Sequence, residues 1–404
     1  MQWSVGLVWF MAAVAALALI VRTHQLLETP LAVFPAYYGA AKLIERGERV
    51  ANFYKDSWFL QSTVEFSPER VDIYNANTPL MGAFFLPLTR LSYDDARRLT
   101  SALGFAAVTI AAYLIAVALG LEGVWRAAAF AAIYAAPTML ANLAFAQVYP
   151  FVLLLLVFAW LAWRKHAEGT AGAFVGIALA FKTAGALLLL LMLIKRSWRA
   201  LMCVAAVIAL LAVITFPFVG VDGWTAYFDY ALRLGNSPSV SRFWSIAGMA
   251  RSFFVYDALW NPAPYFHAPG FAAVIEVVLS IAIIAAIVRT ALATDDRDLT
   301  FALFTLASLV LMPLTASSHL CVAFLPALVV CSKLRHRMMS PLGKCFVGSV
   351  LLSFAPGVER LASVAEWGGP AFRFPRLYGL LILMFVIVKL ARRPALAIAP
   401  PHPA

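Results

Sequence analysis

The sequence predicts an all-α, polytopic integral membrane protein, and three observations support this fold class. The 404-residue chain is 63% hydrophobic and 13% charged, whereas soluble domains are closer to half apolar and a quarter charged. Its mean hydropathy is +0.86. Apolar runs of membrane-helix type recur along the whole length. We therefore expect a single membrane domain over residues 1–404 with roughly 10–12 transmembrane helices.

The apolar segments give the candidate helices in order. The first, residues 5–21, follows no basic leader and no clear cleavage site, so we expect a retained span. The others lie at 79–91, 98–120, 126–146, 148–163, 170–194, 198–217, 269–290, 299–315, 319–332, 342–355 and 376–391. Two long segments, 22–78 and 218–268, are only weakly apolar. We expect these two to form amphipathic loops on the outer face of the membrane.

The net charge of +11 reflects membrane topology rather than nucleic-acid binding. Basic residues occur in short clusters between apolar runs, as at 195–199, 333–344 and 389–393. This pattern is typical of cytoplasmic loops, and it places the tail, residues 394–404, in the cytoplasm. No basic face with interleaved aromatic residues is visible. The four cysteines lie in or beside apolar runs without ligand-like spacing, so we expect neither a disulfide framework nor a metal site.

The charges of the first half allow two topologies. If residues 79–91 span the membrane, Arg90, Arg97 and Arg98 are inside. If they form a surface or re-entrant helix, Arg126, Arg164 and Lys165 are inside instead, and 170–194 must split into two short legs around Lys182. Each arrangement places three basic residues inside, so both remain open. Either arrangement puts the N-terminus in the cytoplasm.

Six stretches resemble segments of one known protein family in the same order. They are "FPAYYGAAKLI" with "NFYKD", "NTPLMGAFFLPLTRLSYDDARRL", "LAFAQVYPFVLLLL", "GAFVGIALAFKTAGALLLLLML", "RFWSIAGMARSFF" and "LMPLTASSHLCVAFLPAL". Over approximately residues 30–330 the chain resembles glycosyltransferase family 87, a group of bacterial polytopic enzymes that includes α-mannosyltransferases. The resemblance implies a GT-C fold at the bacterial inner membrane, with the active site facing the periplasm.

The resemblance also implies a reaction. A hexose (mannose-like) or pentose would pass from a polyprenyl-phosphate donor to a lipid-linked or cell-envelope acceptor, by inverting displacement at the anomeric carbon. The donor is a substrate, and we expect no cofactor and no metal. The expected partners are membrane lipid, this donor and a glycolipid or glycan acceptor. The sequence does not indicate an oligomeric state.

The most consequential departure from the family pattern is at Val33. The family's first loop opens with Asp-Phe, and this aspartate is the expected catalytic base; here Val33 precedes Phe34. Two further departures are Ala146 in place of a glycine and Ala184 in place of a proline. A valine cannot accept a proton, so a base must come from elsewhere.

Glu28 is our first candidate for the substitute base, because a bend at Pro30 would return it toward residue 33. The alternative is an interfacial charge at the end of the first span. The other acids of this loop have weaker claims: Glu45, Asp56, Glu65, Glu69 and Asp72.

The remaining candidates are polar groups beside apolar segments. Lys182 lies in a 170–194 apolar run, where a lysine needs a partner or a cavity, and it is predicted to contact the lipid phosphate. His319 is predicted to contact that phosphate or to assist proton transfer. Tyr37 and Tyr38 are expected either at a sugar subsite or in the interfacial aromatic belt. Weaker candidates for substrate contacts are Gln147, Ser245 and Arg251. Glu276 is expected to pair with Lys182 or another cation, and the alternative is that it marks a proton path.

Two other functions remain open. One is a transporter or flippase for a lipid-linked sugar, and the other is a catalytically degenerate family member. Transporters tend to have internal repeats and short loops, whereas no repeat relates the two halves of this chain and its two loops are long. The loops therefore favour the enzyme.

Overall fold

The computed structural model describes residues 2–29, 33–66, 72–74, 77–362 and 369–392, and within these ranges it is helical without a β-strand. In chain order the helices are α1 Gln2–Leu27, α2 Phe34–Glu45, α3 Asp56–Thr63, α4 Leu80–Phe85, α5 Tyr93–Ala118, α6 Gly123–Ala135, α7 Pro137–Ala144, α8 Tyr149–Arg164, α9 Glu168–Phe181, α10 Leu188–Ile194, α11 Trp198–Gly235, α12 Ile246–Phe254, α13 Pro269–Ala293, α14 Arg297–Leu311, α15 Phe324–Leu334, α16 Pro341–Phe354 and α17 Pro375–Ala391. The predicted all-α fold is confirmed.

Within the described ranges, five helical segments are long and apolar enough to cross a membrane. They are Val5–Leu27, Tyr93–Ala118, Trp198–Gly235, Pro269–Ala293 and Ser317–Leu334. The pair α6 and α7 adds a sixth span if it is counted as one helix bent by 54°. The bend lies at Ala136, which is extended because a residue before proline is disfavoured in a helix. Shorter apolar helices fill the bundle between these spans. The chain is a multi-pass membrane protein.

Residues 79–91 form two short helices rather than one long one. α4 is followed by the 3-10 helix Leu86–Arg90, and both lie against α2, where Lys42 Nζ donates to the Thr89 carbonyl at 2.8 Å. The run 170–194 breaks in its middle, because α9 ends at Phe181 and α10 begins at Leu188. This break is the one that the second of the two topologies requires.

Ion pairs gather four helix ends at one end of the bundle, here called the basic end. Arg164 of α8 contacts Asp298 of α14 at 2.9 Å. Further pairs join Lys195 to Asp295 at 3.2 Å and Lys333 to Asp296 at 2.7 Å. Since α8, α10, α14 and α15 each place a terminus here, Lys182 and His319 lie toward the opposite end, here called the cavity end.

Two glycines shape the path of α11. A Cβ on Gly172 of α9 would lie 2.1 Å from the Ala200 carbonyl oxygen, so only glycine permits this close approach of the two helices. Gly220 has φ +63° and turns the chain. The part before Gly220 belongs to the apolar bundle, and residues 221–235 form a separate helix that packs on the first loop.

The first loop has its own aromatic core at the cavity end, here called the loop core. It consists of buried residues from α2, the 3-10 helix Val50–Tyr54, α3 and α4, with Tyr227 and Tyr230 of α11. Phe53 is fully buried, and its ring centroid lies 5.4 Å from that of Tyr74. Burying an aromatic side chain of this kind contributes about 1.5–3 kcal/mol. The loop is therefore a folded layer over the bundle rather than a linker.

Candidate active site

A cavity of about 380 Å³ lies between the loop core and the cavity end of the bundle. Its wall combines α2, the segment before α4, the start of α8, the two residues after α9, residues 227–235, and the segment from Met312 to His319. Polar side chains from distant parts of the sequence meet here: Asp72, Asn77, Gln147, Lys182 and His319. Four of the eight predicted site residues line this cavity, namely Tyr37, Gln147, Lys182 and His319.

Lys182 occupies the break between α9 and α10. Its Nζ donates to Asn77 Oδ1, and it lies 5.6 Å from the ring centroid of Tyr37 and 5.7 Å from that of Tyr149. Across the described residues, no carboxylate lies within ion-pair distance of this ammonium. A cation held by an amide and two aromatic faces retains its capacity for an anion.

Tyr37 and Gln147 form one wall of the cavity. The Tyr37 hydroxyl donates to Gln147 Oε1 at 3.0 Å, and the ring is 1% exposed. Burial raises the pKa of Tyr37 above its ordinary value, and the nearby charges of Tyr74 and Asp72 act in the same direction. Tyr37 therefore stays a neutral donor over the physiological pH range.

His319 lies against the ring of Tyr149, with centroids 4.1 Å apart. Its Nδ1 accepts the backbone N–H of Ala316 at 3.0 Å. In a neutral imidazole with Nδ1 as an acceptor, the proton is on Nε2. The ring therefore presents a hydrogen-bond donor to the cavity, and this favours the predicted anion contact over the role of a base.

Asp72 contributes a carboxylate to the same cavity. Its Oδ2 accepts the backbone N–H of Val33 at 2.8 Å, and its Oδ1 accepts that of Ile73 at 2.9 Å. Val33 also lines the cavity. The position at which the resemblance leads us to expect an aspartate is thus in direct contact with a different aspartate.

Several predicted residues lie outside the cavity lining. Glu28 is 63% exposed and lies 3.5 Å from His24. The Tyr38 hydroxyl donates to the Leu91 carbonyl at 2.8 Å, which indicates a packing role. Glu69 lies outside the described residues.

Ser245 and Arg251 also make structural contacts away from the lining. Ser245 accepts the Gly248 N–H at 3.0 Å and donates to the Pro313 carbonyl at 2.9 Å, so it supports a cavity-lining segment. Arg251 lies 3.8 Å from Glu276, in line with the prediction that Glu276 pairs with a cation. The functional roles proposed for Glu28, Tyr38, Ser245 and Arg251 stay predictions.

Sequence reasoning passed over two lining residues. Asn77 opens the "NTPL" stretch, and Tyr149 lies two positions after Gln147, but neither residue type stands out in such a context. Within the described ranges, no group of three or more His, Cys, Asp or Glu residues is placed to hold a metal ion. The cavity thus offers one lysine, one histidine, one carboxylate and neutral polar groups.

The all-helical fold and the polar cavity at one end of its apolar helices define a multi-pass membrane protein with a polar site beside the bilayer. Within that class the chain belongs to glycosyltransferase family 87, because the model of this family matches residues 75–318, more than half of its length. It is therefore a glycosyltransferase, and the suspected family is confirmed. No curated protein and no solved structure matches the chain.

Proposed function

We propose that the chain transfers a hexose or pentose from a polyprenyl-phosphate donor to a lipid-linked or cell-envelope acceptor, at the outer face of the bacterial plasma membrane. The position of Lys182 is the observation that supports a phosphate-containing donor. This cation lies at a helix break within an apolar run, faces the cavity, and has a neutral amide as its polar partner. A lysine in such a place is stabilised by an anionic ligand.

His319 supports a phosphate as that anion. His319 and Lys182 both line the cavity, and both lie close to the ring of Tyr149. A phosphodiester that loses its sugar gains negative charge on the bridging oxygen, and donors already aimed at that oxygen stabilise the transition state.

An apolar crevice beside Lys182 supports a lipid-linked donor. It has a volume of about 150 Å³ and is lined by side chains of α4, α9 and α11, among them Phe84, Phe181 and Leu211. Thr78 donates to the Ala180 carbonyl at 2.6 Å between this crevice and the cavity. The first isoprene units would lie in the crevice while the phosphate lies at Lys182.

The test uses the purified full-length chain in proteoliposomes with a panel of short polyprenyl phosphates that carry labelled hexoses or pentoses. We expect one or more donors to release polyprenyl phosphate and to label an acceptor from a membrane extract. A transporter would move the intact donor across the bilayer without breaking the phosphate–sugar bond. Release by no donor, with a protein that is folded by gel filtration, would refute the proposal.

A further inference from the structure

The first loop lacks the expected acid but places another carboxylate in contact with the same backbone. Asp72 Oδ2 lies 2.8 Å from the Val33 nitrogen, although 39 residues separate the two positions. The second oxygen accepts the N–H of Ile73 at 2.9 Å. Two backbone donors thus fix the orientation of this carboxylate at the cavity wall.

The backbone of Val33 is unusual for its residue type. It has φ +82° and ψ −63°, a region that β-branched residues rarely adopt. This conformation directs the Val33 N–H to Asp72, while the Val33 carbonyl accepts the N–H of Ala36 at the start of α2. Strained residues of this kind cluster at functional sites. Here the strained residue holds the carboxylate.

Three other described acids of the first loop make contacts away from the cavity. Glu45 contacts Lys42 and Thr89, Glu65 pairs with Arg46, and Asp56 accepts the Tyr230 hydroxyl. Of the described carboxylates, Asp72 alone lines the cavity with Lys182 and His319. It is only partly buried, so an incoming hydroxyl can reach it.

We infer that Asp72 is the catalytic base of this chain and has replaced the acid missing at Val33; the inference rests on the proposed function. The Asp72 carboxylate takes the proton of the acceptor hydroxyl. The acceptor oxygen forms a bond to the anomeric carbon as the bond from that carbon to the phosphate oxygen breaks. The electron pair leaves with the polyprenyl phosphate beside Lys182 and His319. Asp72 then returns its proton to water.

The experiment compares Asp72→Asn with wild type in the proteoliposome transfer assay, and the matched control is Glu48→Gln, an exposed acid of the same loop. A base typically contributes about 10²- to 10⁴-fold. We therefore expect Asp72→Asn to lose about 100-fold or more in kcat, with binding of the donor unchanged in an equilibrium dialysis measurement. Glu48→Gln should stay close to wild type. Turnover by Asp72→Asn close to wild type would overturn the inference.

Two further variants keep the inference testable. Val33→Asp combined with Asp72→Asn returns the acid to the neighbouring position, and we expect it to regain part of the lost turnover. If Asp72→Asn does not fold, Asp72→Glu replaces it: the carboxylate is kept but displaced, so kcat should fall at unchanged donor affinity, and an unchanged kcat would contradict a base. Absence of transfer by the wild-type chain with every donor would instead overturn the proposed function, and the inference with it.

Discussion

Arg164 Nε lies 2.9 Å from Asp298 Oδ1, and this ion pair fixes the end of α8 beside the start of α14. The Trp160 indole donates to the same carboxylate oxygen at 3.0 Å. The pair shows that Arg164 and the acidic turn before α14 share one end of the bundle. It thereby places Arg164 at the same end as Lys195 and Lys333, the arrangement expected of the second of the two topologies.

This arrangement predicts opposite exposure of two loop positions. In a chain with its four cysteines replaced, Lys165→Cys at the basic end and Ser57→Cys in the first loop should react with a membrane-impermeant maleimide from opposite sides. Both side chains are exposed. Labelling of intact and permeabilised cells measures the difference. Equal labelling of both in intact cells would contradict the topology.

Lys182→Met should weaken donor binding. Loss of a charge-assisted contact removes about 1.5–3 kcal/mol, which corresponds to about 10- to 100-fold in the KM for the donor. Lys165→Met, an exposed lysine at the basic end, is the matched control and should leave KM unchanged. Donor titration of initial rates measures both. An unchanged KM for Lys182→Met would exclude this lysine from the phosphate site.

Three substitutions of His319 distinguish the roles of its two ring nitrogen atoms. The amide of His319→Gln can place an N–H near the position of Nε2, whereas that of His319→Asn replaces Nδ1. We expect Gln to keep kcat within about tenfold of wild type, and Ala and Asn to lose about 10²- to 10³-fold, as on removal of an oxyanion donor. Single-turnover rates at saturating donor concentration rank the three variants. Equal losses in all three variants would show that the Nε2–H is not the functional group.

Glu28→Gln should leave turnover close to wild type. The side chain is 63% exposed beside His24 and lies outside the cavity lining, so its charge is screened from the reacting atoms. The proteoliposome transfer assay measures kcat for this variant. A loss of about 100-fold in kcat would indicate that Glu28 is the base.

Arg97→Met should destabilise the fold. The buried Arg97 guanidinium donates to the carbonyls of Leu26, Leu27, Thr29 and Ala144 at 2.9–3.2 Å, and so ties α1 to α5 and α7. Carbonyls left without a partner cost about 1–3 kcal/mol each when buried. Arg98→Met is the neighbouring control, because Arg98 is 55% exposed and 4.0 Å from Asp95. Thermal unfolding in detergent should show a lower Tm for Arg97→Met than for Arg98→Met.

The sequence predicts the helical fold and much of the site because both leave local signals. Hydropathy alone marks the apolar segments, and a lysine within such a segment, as at Lys182, is conspicuous. The topology of 79–91 leaves no such signal: both alternatives contain short segments and equal charge. The contact of Lys42 with Thr89 and the break after Phe181 become visible only in the folded chain.

The roles of individual site residues depend on contacts with residues that are distant in the sequence, and the sequence does not show these contacts. Asp72 is one acid among several in its loop, and its contact with Val33 depends on how α2 begins and on an uncommon φ at that residue. Tyr38 is chemically equal to Tyr37, yet one hydroxyl meets the Leu91 carbonyl and the other meets Gln147 in the cavity. Neighbouring positions on a helix point to different faces, and only packing shows which face borders the site.

The loop core combines residues of the first loop with residues of α11, so it cannot be completed until α11 has been synthesised. Asp56 and Tyr230 lie 174 residues apart, and their hydrogen bond closes the loop core over the cavity. At about 5–20 residues per second, a ribosome needs on the order of 10–30 s to make the intervening chain. During that interval the aromatic side chains of the first loop lack their packing partners from α11, Tyr227 and Tyr230. The loop core over the cavity is therefore completed only after α11 has been made.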